Sequence, residues 1–180
     1  MIVMMAGLPG TGKSTLARAL AERVRGVVLD KDVIRAALFG PAHVEYSMAQ
    51  DDFCMEVMLE AAGYLVARDS GVCVLLDGRT FSRRYQRERV IEFSARVGTA
   101  WAMIECICAE ETALVRVAGD RMHPAANRGA ELYRVVRGRW EEIECPRLVV
   151  NTDGSLADCL GVALEYISSC ATNSSTRTSP

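Results

Sequence analysis

Gly7-Leu8-Pro9-Gly10-Thr11-Gly12-Lys13-Ser14, followed by Thr15, decides the fold of this 180-residue chain. The spacing fits the pattern G-x-x-x-x-G-K-[ST]. Glycines at these positions let successive backbone N–H groups turn inward around an anion, where a Cβ would obstruct the approach. The flanks agree with that reading. Ile2 to Ala6 is a short apolar run that suits a buried strand, and Leu16, Ala19, Leu20 and Val24 follow at helical spacing, with Gly26 as the expected terminator. A loop between a strand and a helix also receives the positive end of the helix dipole. Gly7, Leu8, Pro9, Gly10, Thr11, Gly12, Lys13, Ser14 and Thr15 are therefore expected to cradle phosphates. Lys13 would reach the β- and γ-phosphates, and the Ser14 hydroxyl is placed to ligate Mg²⁺.

Working outward, short apolar strands alternate with helical patterns to the end of the chain. Val27-Val28-Leu29 ends at Asp30, and a helix follows to Gly40, with a loop from Gly40 to Tyr46. Ser47 caps a long helix to about Asp69, whose Ala49, Phe53, Val57, Ala61 and Leu65 recur every four residues. Val72 to Leu76 is a continuous apolar run ending at Asp77, the mark of a strand buried on both faces. A helix after Ser82, a strand over Trp101–Cys108, a helix from Glu110 to Arg121 and a loop over Met122–Gly129 come next. Leu132, Val136, Trp140 and Ile143 mark another helix, Leu148-Val149-Val150 a fifth strand, and Leu156 to Ile167 a final amphipathic helix. This alternation predicts a three-layer αβα fold around a five-stranded parallel sheet. One domain over residues 1–168 and a polar, disordered tail over 169–180 are expected.

Composition narrows the function classes. Half the residues are hydrophobic, enough for a core and too many for a disordered chain. The net charge is −2, and Lys13 and Lys31 are the only lysines beside 19 arginines. A balanced total argues against coating nucleic acid through bulk charge. No apolar run reaches the length of a membrane span, and the N-terminus lacks the basic region of a signal peptide. Cys54, Cys73, Cys106, Cys108, Cys145, Cys159 and Cys170 form no Cys-x-x-Cys pair, so buried thiols in the reducing cytosol are expected.

Leu29-Asp30-Lys31-Asp32-Val33-Ile34-Arg35 follows the second strand, where a parallel sheet opens its ligand crevice. Either aspartate could accept the proton of an attacking hydroxyl, or could simply cap the helix with Arg35 solvated. Asp77 ends the third strand, where capping and orienting its loop is the plain reading. In the arginine run from Arg79 to Arg89, Arg83 and Arg87 share a helical face, which is either an anionic-acceptor contact or a solvated surface.

Together, GLPGTGKST and LDKDVIR resemble the small P-loop kinases of the AAA_33 and zeta-toxin-like group. That group includes polynucleotide 5′-hydroxyl kinases, adenylylsulfate kinases and chloramphenicol phosphotransferases. The resemblance implies Asp32 as general base, Arg35 as a holder of the acceptor, and Asp77 with Ser14 at the metal. It further implies a helical lid at about residues 110–130 that carries arginines over ATP. Arg121 and then Arg116 are the expected contacts to nucleotide and transferred phosphoryl, with Arg128 a further lid arginine. The implied activity is transfer of the γ-phosphoryl of ATP to a hydroxyl, with Mg²⁺ as cofactor. A small-molecule acceptor is favoured by the charge balance, and a nucleic acid 5′ end is the alternative. A regulatory ATPase is disfavoured because Gly78 stands where such proteins place a water-activating glutamate.

Overall fold

The central strand is β1 (Ile2–Ala6), in which every residue is fully buried. The computed structural model describes residues 1–119 and 129–175. Around β1 lie β2 (Val27–Asp30), β3 (Val74–Asp77), β4 (Trp101–Ile107) and β5 (Leu148–Asn151), in the order β2-β3-β1-β4-β5. Every pairing is parallel. Met4 lies opposite Leu76, and Asp30 opposite Asp77, so the ends of β1, β2 and β3 open at one edge of the sheet. Successive side chains of β1 point to opposite faces. Ile2, Met4 and Ala6 enter one core layer, while Val3 and Met5 enter the other.

The described helices are α1 (Lys13–Val24), α2 (Lys31–His43), α3 (Met48–Arg68), α4 (Arg84–Arg96), α5 (Glu110–Gly119), α6 (Ala130–Gly138) and α7 (Leu156–Ser175). Leu16 and Leu20 of α1 pack with Ala163 and Ile167 of α7 on one face of the sheet. Met55, Met58 and Leu59 of α3 pack with Val90 and Phe93 of α4 on the other. Burying each of these large side chains is worth about 1.5–3 kcal/mol before entropy is charged. The architecture is thus a three-layer α/β fold with a five-stranded parallel sheet, as the alternation predicts.

Several local expectations need correction. Arg25, not Gly26, takes the left-handed turn after α1 (φ 52°), because Gly26 is needed where a Cβ would stand 2.8 Å from the Cys73 carbonyl oxygen. Helix α2 runs past Gly40 to His43 across a kink at that glycine (φ 61°, ψ 171°). On α3 the buried face is Gln50, Cys54, Met55, Met58, Leu59 and Ala62, so the every-fourth series through Phe53 marks the wrong side; Phe53 is 54% exposed and meets Phe39 edge-to-face. Trp140 and Ile143 lie beyond the end of α6 and pack on the core from an irregular segment. Helix α7 continues to Ser175, through residues expected to lie in a disordered tail from 169. Ser168 and Ser169 donate to the Leu164 and Tyr166 carbonyls, and Cys170 packs on the core, which holds polar sequence in a helix. The segment 120–128, and with it Arg121, His123 and Arg128, lies outside the described residues.

Candidate active site

The loop between β1 and α1 is shaped by three glycines in the left-handed or mirror region, Gly7 (φ 138°), Gly10 (φ 81°) and Gly12 (φ 79°). A Cβ at Gly7 would stand 2.3 Å from the Cys106 carbonyl oxygen, and one at Gly10 2.3 Å from that of Ala113. No side chain caps the start of α1, so its first N–H groups stay available to an anion. Lys13 is buried, and its ammonium donates to the Leu8 carbonyl at 2.8 Å, which folds it over the loop it serves. The Thr11 hydroxyl donates to the same carbonyl at 2.8 Å.

Asp77 follows from the register. It ends β3 beside the loop, is 1% exposed, and neither carboxylate oxygen has a hydrogen-bond partner among the described residues. A buried carboxylate without partners is costly, so this arrangement favours a cation or its water at that point. With the Ser14 hydroxyl lining the same cavity, the donor set fits Mg²⁺ bound mainly through phosphate and water. Asp30, opposite Asp77 across the strands, is the cap: its Oδ1 accepts the Asp32 N–H at 2.8 Å and the Val33 N–H at 3.4 Å. Burial, and then the Asp77 charge, push the Asp30 carboxyl above its ordinary value, while those N–H bonds oppose the shift.

Gly78 (φ 78°) makes this junction possible, because a Cβ there would stand 2.8 Å from both Asp30 Oδ1 and the Lys31 backbone nitrogen. Gly78→Ala is expected to cost about 1–3 kcal/mol through backbone strain and displacement of the α2 start. A lowered urea midpoint with an unchanged slope would register it; an unaltered midpoint would contradict the packing described.

Capping by Asp30 leaves Asp32 to the cavity. Asp32 Oδ1 accepts from Arg35 Nη1 at 2.7 Å and lies 3.2 Å from Lys31 Nζ; Oδ2 takes no part in those two pairs. Arg35 is buried rather than solvated, its guanidinium 5.3 Å from the Tyr46 ring centroid. From the first turn of α3, Asp51 Oδ1 accepts from Lys31 Nζ at 2.8 Å and pairs with Arg35 Nη2. Asp51 Oδ2 lies 3.6 Å from Arg79 Nη1, and Arg79 Nη2 donates to Asp52 at 2.6 Å and to the Tyr85 hydroxyl oxygen at 2.9 Å. Lys13, Ser14, Asp32, Arg35, Asp77 and Arg79 all line one cavity of about 170 Å³, together with Leu132 and Val136 of α6.

Burial pulls the Lys31 ammonium down to about 8, Arg35 and Arg79 add to the fall, and Asp32 opposes it. The unfolded chain therefore binds one more proton than the native state between about pH 8 and 10.5, and stability from this group rises with pH across that window. The stability difference between wild type and Lys31→Met should shift toward wild type by up to a few kcal/mol from pH 7.5 to 10.5, on the order of 1.4 kcal/mol per pH unit. Urea unfolding at the two pH values checks it; a constant difference would contradict the burial.

The remaining arginines separate clearly. Arg87, read from spacing as a possible acceptor contact, is buried in the scaffold, donating to the Phe81 and Glu142 carbonyls at 3.0 and 2.7 Å. Arg83 pairs with Glu141, Arg84 with Glu88 and Arg89 with Glu56. Arg116 does not line the cavity that holds Asp32. It donates to Thr152 Oγ1 at 3.0 Å and the Thr152 carbonyl at 2.9 Å, beside a second cavity of about 230 Å³ that also contains Gly12, Thr15 and Leu156. Sequence reasoning missed Asp51, Asp52 and Tyr46 entirely, and gave Lys31 no role. The one available signal was that Lys31 is the second of just two lysines. Among the thiols, Cys54, Cys73, Cys106 and Cys159 are buried, and burial pushes Cys106 up to about 12, as inert core residues require.

The loop, its following helix and the strand-end aspartate define a P-loop nucleotide-binding fold. The AAA_33 family, an AAA domain, matches residues 2–139, and the chain belongs to that family. No curated protein matches the sequence. Solved structures similar to it include kinases and a Kti12 protein. A gluconokinase from Sinorhizobium meliloti 1021 is 18% identical, covers 99% of this chain and 97% of its own, and gives a TM-score of 0.69. The Mycobacterium tuberculosis APS kinase CysC, in complex with AMPPNP and APS, is 20% identical over 93% of this chain and 96% of its own, with a TM-score of 0.70. Kti12 of Chaetomium thermophilum, in complex with ADP-AlF₃, is 15% identical over 95% and 99%, with a TM-score of 0.68. At these identities the likeness establishes the fold. No described helix is long and apolar enough to cross a membrane.

Proposed function

We propose that the chain is an ATP-dependent phosphotransferase that moves the γ-phosphoryl of ATP to a hydroxyl acceptor. One observation carries this reading: the Asp32 carboxylate opens into the same cavity as Lys13, Ser14 and Asp77. A phosphate-binding loop alone fits any nucleotide-binding protein. A carboxylate facing it from the start of the helix after the second strand fits one that must take a proton from an attacking oxygen. The γ-phosphorus–oxygen bond to ADP breaks, a bond to the acceptor oxygen forms, and the acceptor proton passes to Asp32. Lys31 and Arg35 hold that carboxylate through Oδ1, which orients Oδ2 for the transfer.

Ser14 and Asp77 are the residues that would hold Mg²⁺, which when bound neutralises charge on the β- and γ-phosphates. Loop N–H groups and Lys13 bind and orient the phosphates. The second cavity, behind Gly12 and Thr15, is the place for the nucleobase, with Arg116 held over it by Thr152. Arg121 remains the proposed contact to the transferred phosphoryl, carried by the segment between α5 and α6.

ADP release with Mg·ATP tests the proposal across sugars, nucleosides, antibiotics and 5′-hydroxyl RNA and DNA. Turnover is expected to require one of these acceptors. ATP hydrolysis that no acceptor stimulates would move the chain to the regulatory ATPases instead.

A further inference from the structure

The charges around Asp32 say what kind of acceptor the cavity suits. Among the described residues three cations stand there, Lys31, Arg35 and Arg79, each at least nine-tenths buried. Each already faces a carboxylate: Asp32 and Asp51 take Lys31 and Arg35, while Asp51 and Asp52 take Arg79. Among the described residues the acceptor half is thus balanced, three charges against three. A pocket for an anionic acceptor leaves its arginines uncompensated until the ligand arrives, and this one does not.

Balance does not mean saturation. Arg79 Nη1 is buried and has no hydrogen bond among the described residues, reaching Asp51 only at 3.6 Å, and Arg35 Nε is also without one there. These donors need an oxygen lone pair, while the Asp51 carboxylate, 27% exposed, offers acceptor capacity beside them. A hydroxyl group donates and accepts at once, so it satisfies both. A carboxylate or phosphate satisfies the arginines but sets its charge against Asp51 and Asp32. Apolar surface is supplied by Tyr46, Leu132 and Val136, which suits the C–H faces of a compact ring or chain.

We propose that the acceptor is an uncharged polyhydroxylated small molecule, and that Asp51 is the residue that rejects its anionic counterparts. This rests on the phosphotransferase reading above. Asp51 is a specificity residue on α3, acting by repulsion as much as by contact.

Matched pairs of compounds test it: sugars, cyclitols and nucleosides, each beside its carboxylated or phosphorylated counterpart. Binding is measured by calorimetry on the full chain loaded with magnesium and a non-hydrolysable ATP analogue, and ADP release is followed separately with ATP. At least one neutral compound is expected to bind about tenfold or more tightly than its anionic partner, a difference of about 1.4 kcal/mol. Asp51→Asn keeps the side-chain shape and should move that ratio about tenfold toward the anionic partner. A general loss of structure would weaken both partners alike and leave the ratio fixed, and that result overturns the proposal. So does tighter binding of the anionic partner by wild type, with ADP release then still supporting phosphotransfer. Failure of every pair to bind overturns it as well. Neutral compounds that bind selectively yet provoke no ADP release would uphold the selectivity and remove the phosphotransferase reading.

Discussion

Asp32→Asn is expected to lower kcat for acceptor phosphorylation by about 10²–10⁴-fold, the usual share of a general base, with little change in the KM for ATP. The asparagine amide retains the shape of the side chain but cannot take a proton from the attacking hydroxyl. It also removes the negative partner of Lys31 at 3.2 Å and Arg35 at 2.7 Å, leaving Asp51 to balance both cations. Some stability is therefore lost, and the variant has to be compared at a temperature where unfolding curves show both proteins native. Asp32→Glu separates the two effects, since it keeps the charge and moves the carboxylate by one methylene. The expected order of kcat is wild type, then Glu, then Asn. Equal rates for wild type and Asn, in an assay that depends on acceptor, would remove Asp32 from the chemistry.

Lys13→Ala should reduce kcat/KM by about 10²–10³-fold or more, the loss seen when a single preorganised charge-stabilising donor is removed. Here Lys13→Arg is expected to do no better. Lys13 is 7% exposed and its ammonium is folded back to the Leu8 carbonyl at 2.8 Å, in a loop where Gly7 and Gly10 have no room even for a Cβ beside the Cys106 and Ala113 carbonyls. A planar guanidinium is wider than that path and cannot act as a compact point charge within it. Binding of a fluorescent ATP analogue, measured beside turnover, shows whether the loss falls on ground-state affinity or on the transition state. Full activity in Lys13→Arg would mean that the charge alone matters and that the loop is looser than its packing implies.

The parts of this architecture that were legible in the sequence are those where the backbone itself is constrained. Gly7, Gly12 and the apolar strand before them allow one local solution, and Asp77 is placed by its strand end. Ser47 caps α3 as its chemistry requires, accepting the Gln50 N–H at 3.2 Å. Between Asp30 and Asp32, spacing left the choice of cap open, and the structure resolves it by giving the N–H groups to Asp30. What stayed hidden depends on contacts distant along the chain. Asp51 and Asp52 look like ordinary acidic residues near the start of a helix, where Asp51, in the first turn, complements its dipole. Their partners are on α2 and on Arg79 after β3, and no periodicity reports such a meeting. Arg87 misleads for the opposite reason: a charge on a helical face reads as exposed until distant carbonyls are found to bury it. The every-fourth pattern on α3 failed because a 3.6-residue turn drifts away from a strict repeat of four, so Phe53 rotates outward.

The phosphate half of the cavity is built on strand ends, and the other half hangs on the α2–α3 pair through Lys31, Arg35, Asp51 and Asp52. Those two halves carry different evolutionary burdens. Changes near Gly7 or Asp77 disturb a buried sheet and every nucleotide-dependent step at once. Replacement of Asp51 or Tyr46 alters one wall of the cavity, and Asp51 reaches Asp32 only through the Lys31 and Arg35 that they share. Under the phosphotransferase reading, acceptor preference could drift along this one helical hairpin while the sheet edge stays fixed, and exchanging the α3 residues 48–52 between relatives would test that separation.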